Sequence, residues 1–501
     1  MRFPIGFMAA MLHFPFLQAQ HRLSFAPLFT DHMVLQRDKP IVVWGTAKPN
    51  ATVQVRLDDE AIELLANEAG QWKATLEARP ASGPFVLSIR AKNKLVQLND
   101  VLVGDVWICA GQSNMEFTVK ETLYDREVIE AAKYPSIRHI KINRGVSLFP
   151  TTTADCGVWT VCADQNAAAF SAAAYFFAKE LVDRYHIPVG IINITWGGTQ
   201  IESWISYEGM TQSDLFRGYA DAFLKNAKPD HASAPRKTTA QTLPAEPVTP
   251  NVGTAIFNAM VNPVTGFPMR GVLWYQGESN VGRAFEYRFS FPLLIQDWRR
   301  AWACDFPFLF VQLANWEADG GNSNTGSTWA ELRESQAMAL QLPKTGMAVT
   351  IDIGETKDLH PKNKMDVGKR LAREAFRVAY GEPLKPPGAS RPECIFLENK
   401  VFLTFPDNEQ GLMVREPNGV LRGFELAGDD EVFYQAEAEL TAQQVVVVHC
   451  AEAPQPVAVR YAWADDPAAA NLVTTEGFPV APFRSDNWPC CTAGEHFFGN
   501  K

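Results

Sequence analysis

One pattern constrains this chain more than any other: between residues 106 and 353, apolar runs suited to burial on both faces alternate with helical stretches. The runs cover 106–110, 190–194, 271–275, 308–312 and 347–353; helical stretches cover 171–184, 285–303 and 329–340. A strand that is apolar on both faces must be covered on both, and intervening helices supply that cover. The expected core is therefore a parallel sheet in an α/β layer fold. The flanks differ. Residues 41–45, 52–57, 71–76, 85–90 and 95–98 are β-branched or aromatic with two-residue alternation, broken by Pro49-Asn50 and Ser82-Gly83-Pro84. Residues 394–405, 432–438, 444–450 and 457–463 repeat the style, so β-sandwich parts are expected on both sides.

This organisation divides the 501 residues into 1–20, 21–100, 101–385 and 386–501, with a Pro/Ala/Thr-rich surface excursion at 226–252. The first segment starts with Arg2, continues as an apolar run over 3–16 and offers a cleavage site around Leu17-Gln18-Ala19. It reads as a signal peptide, which predicts a secreted or periplasmic protein; the alternative is a buried N-terminal strand or helix. No later apolar run approaches the ~18 residues needed to span a bilayer, so no membrane insertion is expected. A net charge of −10 argues against nucleic acid or an anionic membrane as partner, because either favours a basic face. Eight cysteines without CxxC spacing argue against a zinc site, while Cys156 and Cys162 are close enough in sequence to pair.

In open α/β sheets, ligands bind outside the carboxyl ends of the strands. Four such ends are unusually polar: Gly111-Gln112-Ser113-Asn114-Met115, Thr195-Trp196-Gly197-Gly198-Thr199, Gln276-Gly277-Glu278-Ser279-Asn280, and 354–361 with Asp358 and His360. A serine hydroxyl needs a neighbouring base. His360 can take its proton, and Asp358, two residues away, can orient the imidazole. Backbone N–H groups at Ser113 and Gly198, with an amide from Gln276 or Asn280, are the available oxyanion donors. Taken singly, each motif has a plainer explanation. A serine in such a turn is usually a helix cap, two glycines are a tight turn, and Asp-x-His is a surface loop or half of a metal site. Their coincidence at one sheet edge is what points to chemistry. The usual nucleophile elbow would need glycine where Met115 stands, which disfavours a standard lipase or α/β-hydrolase.

The four blocks, Gly-Gln-Ser113-Asn-Met, Trp-Gly-Gly198-Thr, Trp-Tyr-Gln-Gly-Glu-Ser-Asn280 and Asp358-Leu-His360-Pro, resemble those of the sialate O-acetylesterase family within the SGNH hydrolase superfamily. Residues 28–37, 170–178 and 482–486 are similar to other segments of that family, so the resemblance spans nearly all of the chain after residue 24. It implies a flavodoxin-like SGNH catalytic domain with jelly-roll-like β-sandwich parts at both ends, and cofactor-free, metal-free hydrolysis of acetyl esters. By position, Ser113 is the nucleophile, His360 the general base and Asp358 its orienting acid. Ser113, Gly198, Gln276 and Asn280 fall on the oxyanion blocks, with Gln276 and Asn280 alternatives to one another. Trp196, Trp204, Glu278 and Arg333 are candidate substrate contacts, while Trp274, inside a strand, reads as core. The expected substrate is an O-acetylated sialic acid, with acetyl xylan as the alternative. A non-catalytic carbohydrate-binding protein and a metal-dependent deacetylase are the competing classes.

Overall fold

The computed structural model describes residues 22–496 apart from 125, 127–129, 132, 228–247, 387–390, 407–410 and 417–418. The expected signal segment and most of the 226–252 excursion lie outside the described residues. The central sheet contains β1 (Lys94–Gly111), β2 (Lys133–Lys141), β3 (Thr160–Ala163), β4 (Val189–Thr195), β5 (Gly271–Tyr275), β6 (Phe308–Val311) and β7 (Thr345–Ala348). Their order across the sheet is β3-β2-β4-β1-β5-β6-β7. All neighbours are parallel except β3 and β2. Every residue of β4 and β5 is buried, as two-faced cover requires. Burying each isoleucine of β4 stabilises the fold by about 1.5–3 kcal/mol.

Helix α1 (Ser113–Glu116) follows β1, and α2 (Ala172–Tyr185), α3 (Ala284–Ala301), α4 (Thr328–Met338) and α5 (Lys364–Val378) cover the sheet. Ser171 caps α2 by accepting from Ala174 N, and His186, in the left-handed region at φ 54°, ends it. Gly368 lets α5 lie against α2, because a Cβ there would sit 2.5 Å from Phe176 Cβ. Among the described residues, no helix is long and apolar enough to cross a membrane.

Antiparallel sheets flank this core on both sides. Thr52–Leu57 and Gln71–Leu76 bury alternate residues, Val53, Val55 and Leu57 in one and Trp72, Ala74 and Leu76 in the other. The N-terminal part is joined to the core by β1 itself. The first half of β1 pairs antiparallel with Ser82–Ala91, and its second half is the centre of the parallel sheet. The boundary expected at 100/101 therefore falls inside one continuous strand. C-terminal to the core lie two four-stranded antiparallel sheets and a two-stranded one. The run expected over 394–405 is a hairpin, Glu393–Leu397 with Lys400–Thr404, because Glu398 takes a positive φ of 52° and turns the chain. All eight cysteines, Cys156 and Cys162 included, are free thiols.

Candidate active site

Register brings the site together. Thr195 and Tyr275 are both paired with Gly111, so β4, β1 and β5 end in one row. The chain leaves β1 for strands on one side and later crosses to the other, which makes this row the topological switch point, the place where open α/β sheets bind ligands. Gly111 has φ +134°, and a Cβ there would lie 2.1 Å from Tyr275 O. Only glycine permits so close an approach.

Ser113 starts α1, and its Oγ lies 2.8 Å from His360 Nε2. With the ring proton on Nδ1, Nε2 accepts the serine hydroxyl. Asp358 Oδ1 accepts the backbone N–H of His360 at 2.9 Å and stands 4.0 Å from His360 Nδ1, an ion-pair distance rather than a hydrogen bond. The side chains of His360 and Asp358 are 38% and 45% exposed, so the pair faces open solvent and is accessible to a bulky substrate.

The first-turn N–H of Ser113 has no intrahelical acceptor, and among the described residues neither it nor Gly198 N donates within the protein. Gly198 is left-handed at φ +74°, and at neighbouring Gly197 a Cβ would sit 3.1 Å from Ser113 Cβ, so the two loops are in contact. The amides of Gln276 and Asn280 are used differently. Gln276 Nε2 donates to Thr199 O and Asn280 Oδ1, while Asn280 Nδ2 donates to both oxygens of buried Glu202. Asn280 Oδ1 also accepts Ile201 N at 3.0 Å. Both amides therefore brace the loop that carries Gly198, and their N–H groups point to protein acceptors.

The four candidate substrate contacts separate. Trp196 borders the site half-buried, with the Arg144 guanidinium 5.9 Å from its ring. Trp204 is fully buried and donates to Thr199 Oγ1. Arg333 is also fully buried, with its guanidinium on the carbonyls of Leu313, Ala314, Ala464 and Asp465; burial lowers it to about 9, against the pull of Asp465 and Asp466. Trp274 is core, packed among Trp204, Trp298 and Phe291. Glu278 is half-buried against Asn114, and burial raises its carboxyl above the usual range.

Three neighbours escaped sequence reasoning. Glu116, at the end of α1, accepts Gly197 N at 3.0 Å and is held by Lys141 and Arg144 at 2.7 Å each. Burial pushes its carboxyl up, but those two cations bring it below the ordinary value. Asn114 and Lys364 are buried between the serine and histidine loops. Asn114 Nδ2 donates to Glu278 Oε1 at 2.5 Å and to Leu359 O at 3.1 Å. Lys364 Nζ donates to Asn114 Oδ1 at 2.7 Å and to Pro361 O at 2.6 Å. The available signal for Lys364 was positional: it shares the face of Val367 and Leu371 at i+3 and i+7, which a surface lysine would not.

The chain as a whole is similar to known carbohydrate esterases. The model of the family described as carbohydrate esterase, sialic acid-specific acetylesterase, matches residues 103–228 and 250–377. The mouse sialate O-acetylesterase is 28% identical, over 92% of this chain and 93% of its own. The human one is 29% identical, over 72% and 71%. Among solved structures, a carbohydrate acetylesterase from Xanthomonas citri superposes with a TM-score of 0.83 and 38% identity, covering 93% of this chain and 100% of that one.

Proposed function

The chain belongs to the sialic acid-specific acetylesterase family of carbohydrate esterases, and from that premise we propose that it removes O-acetyl groups from a sugar through Ser113. Membership makes it a carboxylic ester hydrolase whose substrate is an O-acetylated carbohydrate. The observation that carries the catalytic assignment is the 2.8 Å contact between Ser113 Oγ and His360 Nε2 at the switch point of the sheet. Ser113 Oγ attacks the acetyl carbonyl carbon as its proton passes to His360 Nε2. The Ser113 and Gly198 N–H groups receive the oxyanion. Collapse expels the sugar oxygen, which takes the proton from His360, and leaves an acetyl-enzyme. Water then attacks with His360 again as base, and acetate leaves. Asp358, beside Nδ1, favours the imidazolium that forms in each half-reaction.

The SGNH-type reading of the central unit, and export to the periplasm or the exterior, belong to this proposal. An O-acetylated sialic acid is the substrate it favours, supported by the family description and the mouse and human relatives. The test is hydrolysis of p-nitrophenyl acetate in EDTA, followed by acetate release from O-acetylated sialic acid and acetylated xylan side by side. Ser113→Ala is expected to lower turnover at least about 1000-fold with unchanged circular dichroism. A folded Ser113→Ala enzyme with full activity overturns the assignment, and faster release from xylan overturns the sialate preference.

A further inference from the structure

We propose that Asn114 and Lys364 are positioning residues for esterase turnover, acting as a buried bridge that holds the loop of His360 against the helix of Ser113. This rests on the reading of Ser113 and His360 as the reacting pair. Asn114 follows the nucleophile directly, so a change in its side chain is felt one residue away at Ser113. Its amide N–H reaches Leu359 O, and Lys364, docked on its amide oxygen, reaches Pro361 O. The two carbonyls that flank His360 are thus both held, one by Asn114 and the other by the lysine bound to Asn114. Between them, the His360 N–H is fixed by Asp358. Three backbone groups around the base have assigned partners, and two of the three run back to the serine's own helix.

Lys364 is a costly way to build this bridge. It is fully buried at the first position of α5, where the helix dipole disfavours a cation. Among the described residues, no carboxylate lies within ion-pair distance of its Nζ, and burial lowers it to about 7 despite the pull of Glu278, Asp358 and Glu355. Phe117 and Tyr275 present their ring faces at 4.9 and 5.5 Å, a weaker compensation. Opposite it, Asn114 Nδ2 is anchored on Glu278, whose Oε2 has no partner among the described residues. A lysine and a glutamate joined through one amide satisfy each other poorly as charges, but they fix both ends of that amide. An apolar residue at 364 would pack more cheaply and would leave the Pro361 carbonyl free to move.

Displacing a reacting group by about 1 Å can cost on the order of 100-fold in rate. Lys364→Met is therefore expected to lower kcat by about 10- to 100-fold on p-nitrophenyl acetate, with KM within about twofold. The loss should be uniform across the pH–rate profile. Lys364→Gln, which keeps two N–H donors, should recover part of it. Asn114→Asp keeps an acceptor for the lysine but loses both donations, and offers a second entry if the methionine variant does not fold. Because the two residues form one bridge, the double variant Asn114→Asp/Lys364→Met should be no slower than the worse single variant. Wild-type kcat in a folded Lys364→Met enzyme, or strictly additive losses, overturns the inference. If Ser113→Ala retains activity, the underlying catalytic reading fails instead.

Discussion

At the residue scale, the contact between Ser113 and His360 was legible because its ingredients are rare together: a serine, a histidine and glycines at the carboxyl ends of buried runs. The Asn114–Lys364 bridge was not, since lysine and asparagine usually mark surface and turns, and only the face shared by Lys364 with Val367 and Leu371 hinted otherwise. Trp204 and Arg333 show the converse. Their types suit sugar recognition, yet burial turns one into core and the other into a clamp on four carbonyls. Gly198 separates backbone from side-chain effects. No atom lies within 4 Å of where its Cβ would stand, so Gly198→Ala meets no clash and is penalised only for φ +74°. The cost should be about 1–2 kcal/mol of stability. If the backbone relaxes to relieve that φ, the N–H proposed as an oxyanion donor turns away, and kcat on p-nitrophenyl acetate should fall about tenfold with KM little changed. Wild-type kcat at lowered stability would show that the alanine keeps the left-handed turn and its N–H in place.

At the element scale, β5 was expected over the same residues it occupies, Gly271–Tyr275, whereas the strand expected over 347–353 is Thr345–Ala348 and ends five residues early. The flanking strand β2 was missed. Its sequence, Lys-Tyr-Pro-Ser-Ile-Arg-His-Ile-Lys, looks like a loop, because partners that make its buried Arg138 and His139 tolerable lie far along the chain. Arg138 finds Asp100 at 2.7 Å, and His139 stacks on Phe170. A similar long-range pairing anchors the start of the parallel half of β1. Asp105, fully buried, accepts from Gln36, Arg37, Arg270 and Tyr380. Burial pushes its carboxyl up, but the Arg37 hydrogen bond and the charges of Arg270 and Arg37 carry it below the ordinary 3.8. A depressed carboxylate stabilises the fold above its unfolded value and loses that contribution as pH falls through the folded one. Asp105→Asn should therefore cost roughly 3 kcal/mol at pH 7 by denaturant titration. The gap from wild type should close only below about pH 4.

At the scale of the molecule, the α/β centre and β flanks were visible in the sequence, but the way they join was not. Periodicity describes one strand at a time and is silent on a strand shared by two sheets. The C-terminal part is likewise stitched to the core by side chains no pattern announces: Arg333 on Ala464 and Asp465, Ser327 on Asp465, and Arg484 on Glu334. Arg333→Met is expected to lower stability by roughly 3 kcal/mol, with KM unchanged for the folded enzyme. A large rise in KM at normal stability would return Arg333 to the substrate site. The shared strand β1 also has a consequence for synthesis. Its hairpin half finds its partner, Ser82–Ala91, before the strand itself is finished. Its other half stays open on both edges until β4 and β5 exist, and β5 ends roughly 160 residues after Gly111. At about 5–20 residues per second, the nascent chain carries the apolar run Val106–Ala110 with an unpaired edge for some 10–30 s. Over that interval its protection must come from whatever receives the chain as it emerges.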